Sequence, residues 1–156
     1  MPEYAKPSPP TAEHRRWIES QLDAARDFVP RHSPMDADNP LSIGALDRAL
    51  AGWFASHGET DDAAAVDDMA NALGATFGQL LVEHVNFQWV LVGDDSAGEL
   101  AVHALPGAGD VLIFPFELLT KRYKTTQQGF LKDTYHSISS HVKSLTVTDF
   151  GEGNCS

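Results

Sequence analysis

The central part of the chain lacks basic side chains. Between Ala49 and Thr120 there is no lysine and no arginine, yet these 72 residues carry eleven carboxylates. The rest of the chain holds equal numbers of acidic and basic residues, so the formal net charge of −11 belongs to the central block. Nucleic-acid phosphates and anionic membrane surfaces bind proteins through Lys and Arg. We therefore expect neither nucleic acid nor a membrane as a partner.

Disulfides, long apolar runs and targeting signals are also missing. Cys155 is the only cysteine, which excludes an internal disulfide. No apolar run approaches the ~20 residues of a membrane-spanning helix. The polar, proline-rich start of the chain has no hydrophobic stretch typical of a secretory signal. We expect a cytoplasmic protein.

Catalytic motifs are absent too. The sequence has no G-x-S-x-G elbow and no glycine-rich phosphate loop between a strand and a helix. His136 and His141 are five residues apart, whereas helical zinc motifs use a spacing of four. Ser137 and Ser140 lie beside these histidines, but sequence neighbours of this kind do not make a catalytic triad. We expect no enzymatic activity, no metal and no cofactor.

What the chain does contain predicts one α+β domain. Its 156 residues and 42% hydrophobic content can build a single core. Helical periodicity favours three N-terminal helices, at about 11–28, 42–57 and 61–84, with a loop over 30–40. Alternation then predicts three strands in an antiparallel meander, at 87–92, 99–105 and 110–114, followed by one or two helices. The expected organisation is a flexible lead (1–10), the domain (11–148) and a flexible tail (149–156).

The alternation also predicts a register. Pairing Leu91 with Leu100 and Ala104 with Val111 gives one entirely apolar face. That face holds Phe87, Trp89, Leu91, Leu100, Val102, Ala104, Val111 and Ile113. The second face has an apolar centre and a polar rim, and it holds Gln88, Val90, Val92, Glu99, Ala101, His103, Leu105, Asp110, Leu112 and Phe114. Either the N-terminal helices cover this second face, or it is an open binding patch.

Small residues recur every four positions in the third helix, at Ala70, Gly74 and Gly78. Glycine inside a helix costs ~1 kcal/mol relative to alanine, so two of them indicate a packing constraint. We expect a sheet or another helix to approach this strip closely.

Several segments resemble an uncharacterised family of small bacterial proteins, a domain of unknown function. They are GATFGQLL (74–81), QWVLV (88–92), ELAVHAL (99–105) and VLIFPFELLTKR (111–122), with LDRALAGW (46–53) upstream. The resemblance covers roughly residues 43–145 and implies an α+β fold and a bacterial source. It implies core or turn roles for Trp89 and for Phe114-Pro115, and it brings no catalytic residues.

Charge and fold together favour a protein-interaction module. The first hypothesis is an immunity-type inhibitor that binds a basic, nuclease-like toxin domain through its acidic surface. The contact residues would be Asp94, Asp95 and Glu99 at a hairpin and Asp61, Asp62, Asp67 and Asp68 at a helix start.

The alternative hypothesis is a small-molecule-binding protein. It would use the second face of the sheet or a groove beside Trp89. The candidate residues on that face are Gln88, Val90, His103, Leu112 and Phe114. An enzyme with an unrecognised site ranks third.

Overall fold

Helices flank a small sheet in the order expected from the sequence. The computed structural model describes residues 7–57, 62–93, 98–104, 111–123 and 129–154, with side chains up to residue 145. In those residues the helices are α1 (Ala12–His32), α2 (Ile43–His57), α3 (Ala63–His84), α4 (Pro115–Arg122) and α5 (Phe130–Asn154). The strands are β1 (Gln88–Val92), β2 (Glu99–Ala104) and β3 (Val111–Ile113). The predicted α+β class is confirmed, with two helices after the sheet.

The first three helices begin at side-chain caps. The Thr11 hydroxyl accepts a hydrogen bond from the backbone of His14, and the Ser42 hydroxyl accepts one from the backbone of α2. The Asp62 carboxylate accepts two from the first turn of α3. Each cap satisfies amides that have no partner within the helix. These starting points agree with the sequence-based prediction.

The end of α1 differs from the prediction. The helix was expected to stop near Phe28, before Pro30, but it continues to His32 with Pro30 in its last turn. A proline there removes one backbone hydrogen bond, and the fully buried Val29 still anchors the turn. The Ser33 amide then donates to the Val29 carbonyl and closes the helix.

A buried carboxylate orders the loop that follows α1. The loop contains a 3₁₀ turn at Pro34–Asp36, and Asp36 accepts hydrogen bonds from Arg48 Nε and Nη2 at 2.8 and 2.6 Å. Ser33 Oγ donates to the same carboxylate at 2.5 Å. The Arg48 guanidinium lowers the pKa of Asp36 to about 2.

The sheet has the predicted register. Leu91 pairs with Leu100 and Ala104 pairs with Val111, in an antiparallel sheet of order β1-β2-β3. All eight residues predicted for the apolar face belong to the two hydrophobic clusters of the core or pack against them. We call this side the inner face, and the opposite side the outer face.

The glycine strip of α3 lies against two elements, as expected. A Cβ at Gly78 would lie 2.6 Å from the Trp89 ring of β1, and a Cβ at Gly74 would lie 2.9 Å from the Phe116 ring of α4. Trp89 stacks on Phe116, and its Nε1 donates to Gln79 Oε1 at 3.0 Å. The glycines therefore allow the sheet and α4 to approach α3 closely.

The last helix starts at a cap supplied by α2. Asp47 accepts the backbone amides of Leu131 and Lys132 at 2.9 and 2.7 Å. Burial raises the pKa of Asp47, and these two hydrogen bonds act in the opposite direction. The helix continues to Asn154, beyond the tail boundary expected at residue 149.

None of the helices in the described part of the chain is long and apolar enough to cross a bilayer.

Candidate functional site at the edge of the sheet

The segment before α1 pairs with the outer edge of β1. The Ser8 amide donates to the Leu91 carbonyl at 2.9 Å, and the Leu91 amide donates to the Ser8 carbonyl at 2.7 Å. Ser8 lies in the lead expected to be flexible. It is the only non-proline in the segment from Pro7 to Pro10, and so the only residue there with an amide hydrogen to donate.

The same pairing stops before it reaches Trp89. Because Leu91 directs its N–H and C=O toward Ser8, the residue two positions earlier, Trp89, directs its own N–H and C=O to the same edge. If the antiparallel pairing of Ser8 with Leu91 continued by two residues, residue 10 would lie opposite Trp89, and the proline at that position has no N–H to donate. Among the described residues, these two backbone groups of Trp89 have no partner.

A groove of about 790 Å³ lies at this edge. Its walls come from the N-terminal segment, the first turn of α1, the end of α3, β1 and β2. The lining residues are Pro7, Ser8, Pro9, Pro10, Arg15, Val82, Phe87, Gln88, Trp89, Val90 and His103. The volume falls within the range of small-molecule sites, and a few polar groups stand beside apolar walls as they do in such sites.

The groove differs in charge from the rest of the protein. None of the described residues that line it is acidic, although the chain carries 22 acidic residues. Arg15 does line it, with an exposed side chain that forms no ion pair within the described part of the chain. The groove therefore favours a neutral or anionic occupant.

The predicted ligand face is divided by the structure. Gln88, Val90 and His103 line the groove. Leu112 and Phe114 lie apart from it, beside a smaller depression of about 270 Å³ formed with α4.

The inner face of the sheet packs against α1 and α3. No described residue of the outer face belongs to either hydrophobic cluster, although Val90 and Ala101 of that face are buried. Whether the N-terminal helices also cover the second face, as expected from the sequence, stays a prediction.

The acidic candidates fall into three groups. Asp61, Asp94 and Asp95 lie outside the described residues. Asp62 is the cap of α3. Asp67, Asp68 and Glu99 are exposed, and none of them forms an ion pair with a described residue. We call these last three the unpaired acids.

Another cluster of polar side chains is less suited to binding a ligand. His136, Ser137, Ser140 and His141 lie with Asp133 on an open, almost flat surface of α5. The described residues contain no group of three or more His, Cys, Asp or Glu side chains that could hold a metal ion.

Residues 53–135 match the family model described as a domain of unknown function, DUF3806. The match covers just over half of the chain, and it lies within the region of the resemblance noted from the sequence. The chain belongs to this family. No curated protein and no solved structure matches the chain.

Four residues of the groove wall, Gln88, Trp89, Val90 and His103, were predicted from the sequence, and the other lining residues were not. Ser8, Pro10 and Arg15 lie more than 70 residues before β1, so no local pattern connects them with it. The one available signal was the order of residues in Pro7–Pro10, where a single pairing-competent residue stands among prolines.

Proposed function

We propose that this protein binds a small molecule in the groove at the edge of β1 and performs no chemistry on it. The observation that supports this most is the composition of the groove wall. Gln88, His103 and Arg15 line the groove beside Trp89 and Val90, in a volume of about 790 Å³. Polar groups in a partly apolar groove of that size fix the orientation of a ligand while the apolar walls supply contact area.

A screen against a metabolite library by thermal shift tests the proposal. A ligand present at ~100 times its Kd adds about 2.7 kcal/mol of stability, which corresponds to a rise in Tm of roughly 5–10 °C. The Gln88→Ala/His103→Ala double variant should lose this rise. The matched control is Asp67→Asn/Asp68→Asn, which changes two exposed residues of α3 away from the groove and should keep it.

Two outcomes would contradict the proposal. A library that produces no ligand-dependent rise in Tm is one. A rise that persists in the Gln88→Ala/His103→Ala variant is the other, because it would place the ligand elsewhere.

A second proposal retains the interaction module expected from the charge. Three exposed acids of α1 and α4 pair with a cation of their own helix: Asp23 with Arg26 at 2.5 Å, Asp27 with Arg31, and Glu117 with Lys121 at 3.2 Å. The unpaired acids have no such partner, so they stay available to a basic protein surface. This favours an immunity-type inhibitor of a basic toxin domain in a bacterial cytoplasm.

The salt dependence of a defined complex tests this second proposal. A toxin-like basic domain encoded next to this gene should bind with an affinity that falls as salt rises, and Asp67→Lys/Asp68→Lys should weaken it. Glu13→Lys on α1 is the control for a general change of charge. Absence of binding, or an affinity indifferent to salt, would contradict the inhibitor proposal and leave the groove unaffected.

A further inference from the structure

We infer that the groove accepts a small carboxylate that also carries a peptide-type amide, the chemistry of an N-acylated amino acid or a dipeptide. This inference rests on the proposed function and specifies its ligand class. Three features of the groove carry it: the backbone of Trp89, unpaired among the described residues, the Arg15 guanidinium, and a wall whose described residues include no carboxylate.

The backbone N–H and C=O of Trp89 can bind an amide group of a ligand. Its N–H and C=O point outward from the edge of β1, in the same way as those of Leu91. Leu91 shows what such a pair binds, since Ser8 satisfies both groups with one residue of extended backbone. A ligand amide with one N–H and one C=O can make the same two hydrogen bonds with Trp89.

Pro10 leaves the backbone of Trp89 unpaired among the described residues. Continuing the Ser8 pairing by two residues would bring residue 10 opposite Trp89, where any residue type other than proline could offer an amide hydrogen to the Trp89 carbonyl. Pro10 is buried, so the segment is held beside the strand while it is unable to complete the pairing.

Arg15 supplies the charge preference. A guanidinium binds a carboxylate through two parallel N–H···O bonds, and hydrogen bonds of this charged kind are about twice as strong as neutral ones. No carboxylate among the described residues of the groove wall competes for Arg15. In a chain of net charge −11, a groove whose described wall holds one cation and no acid selects an anion from among amide-containing molecules.

Two probes of the same shape but different charge show how much the carboxylate contributes to binding. N-acetyl-L-leucine carries the carboxylate, and N-acetyl-L-leucinamide replaces it with a neutral amide. Titrations followed by ¹H–¹⁵N NMR should shift the backbone amides of Ser8, Arg15 and Trp89 with the acid. The acid should bind at least ~10-fold more tightly than the amide, the ratio expected for one charge-assisted interaction.

Matched variants assign the two contacts. Arg15→Gln should weaken binding of the acid about tenfold and leave the amide unchanged, whereas Arg16→Gln, on a neighbouring exposed side chain outside the groove, should change neither. Pro10→Ala should weaken both probes about fivefold, because the new N–H pairs with Trp89 in place of the ligand. Pro9→Ala should have no effect, since residue 9 directs its amide to the other side.

The outcomes distinguish the ligand class from the function. Equal affinities of the two probes at the groove, or equal effects of Arg15→Gln and Arg16→Gln, would overturn the carboxylate and leave small-molecule binding in place. Absence of shifts at Ser8, Arg15 and Trp89 with either probe would overturn the whole ligand class, and the library screen then decides separately on the groove. Unchanged Tm values in the variants show that each effect concerns binding and not folding.

Discussion

The inner and outer faces of the sheet are built from the same three strands but have different neighbours. Leu100, on the inner face, is enclosed with Ile18 of α1 and Leu91 of β1. His103, on the outer face, lies at a groove whose opposite wall is a proline-rich segment from the start of the chain. Helices with apolar stripes cover the inner face. The free edge of β1, in contrast, is only partly paired, because the N-terminal segment bonds to Leu91 alone. We therefore place the proposed ligand-binding site at this partly paired edge.

Removing a leucine from each face should show the largest contrast. Leu100→Ala should lower the free energy of unfolding by about 3 kcal/mol, because Leu100 is 9% exposed and leaves a cavity among packed neighbours. Leu112→Ala, on the half-buried outer face, should cost about 1 kcal/mol or less. Urea denaturation of the two variants measures the difference. Equal losses would show that the outer face is as enclosed as the inner one.

The close approach of α3 to the inner face can be tested with alanine. Gly78→Ala should destabilise the protein by about 2 kcal/mol despite the better helix propensity of alanine, because its Cβ would meet the Trp89 ring at 2.6 Å. Gly44→Ala in α2 is the control. Its nearest neighbour is the Arg48 side chain at 3.4 Å, and it should gain up to about 1 kcal/mol. Opposite signs in thermal unfolding are expected, and a stabilised Gly78→Ala would refute the contact.

The closed part of the sheet edge should be sensitive to proline. Ser8→Pro removes the N–H that bonds to the Leu91 carbonyl and should cost about 1–2 kcal/mol. Ser8→Ala keeps that amide and loses only the hydroxyl contact to the same carbonyl at 3.3 Å, so it should cost a few tenths of a kcal/mol. If both variants unfold at the same urea concentration as the wild type, the N-terminal segment does not contribute to the edge.

Substitution of two arginines should distinguish a cation that stabilises the fold, Arg48, from the one that we propose binds a ligand, Arg15. Arg48→Gln should cost about 1 kcal/mol, a value reduced by the exposure of half of the Arg48 side chain, while Arg15→Gln should leave stability within ~0.5 kcal/mol. The contribution of ionised Asp36 is present above its unfolded-state pKa of 3.8 and is lost as the pH falls toward its folded value of about 2.

Arg48→Gln should therefore flatten the fall of stability between pH 3.8 and about 2, and Arg15→Gln should preserve it. Chemical denaturation across that range measures both slopes. A slope that is the same in Arg48→Gln and in the wild type would contradict the assigned role of Arg48.

Most of the inner face could be predicted from the sequence because its information is local. Alternation between Phe87 and Val92, together with short loops, leaves one register in which one face of the sheet is entirely apolar. The spacing of Gly74 and Gly78 likewise predicts a close neighbour, since glycine inside a helix is costly.

The groove could be predicted only in part because its wall is not local. Gln88 and His103 follow from the outer-face pattern, but their meeting with Arg15 depends on where α1 lies relative to β1. That placement follows from the packing of Ile18 against Leu91 and Leu100, which no spacing in the sequence encodes. The extent of α1 beyond Pro30 was missed for a similar reason, since the burial of Val29 outweighs the local preference of proline.

Mapping of bound metabolites by ¹H–¹⁵N NMR tests the central claim most directly. A ligand recovered from the thermal-shift screen is titrated into the full chain while the backbone amides are followed. The account predicts that the shifts concentrate at Ser8, Arg15, Gln88, Trp89 and His103, and that the amides near Asp67 and Asp68 stay still. Shifts that concentrate away from the edge of β1, or that vanish only when Asp67 and Asp68 are replaced, would contradict it.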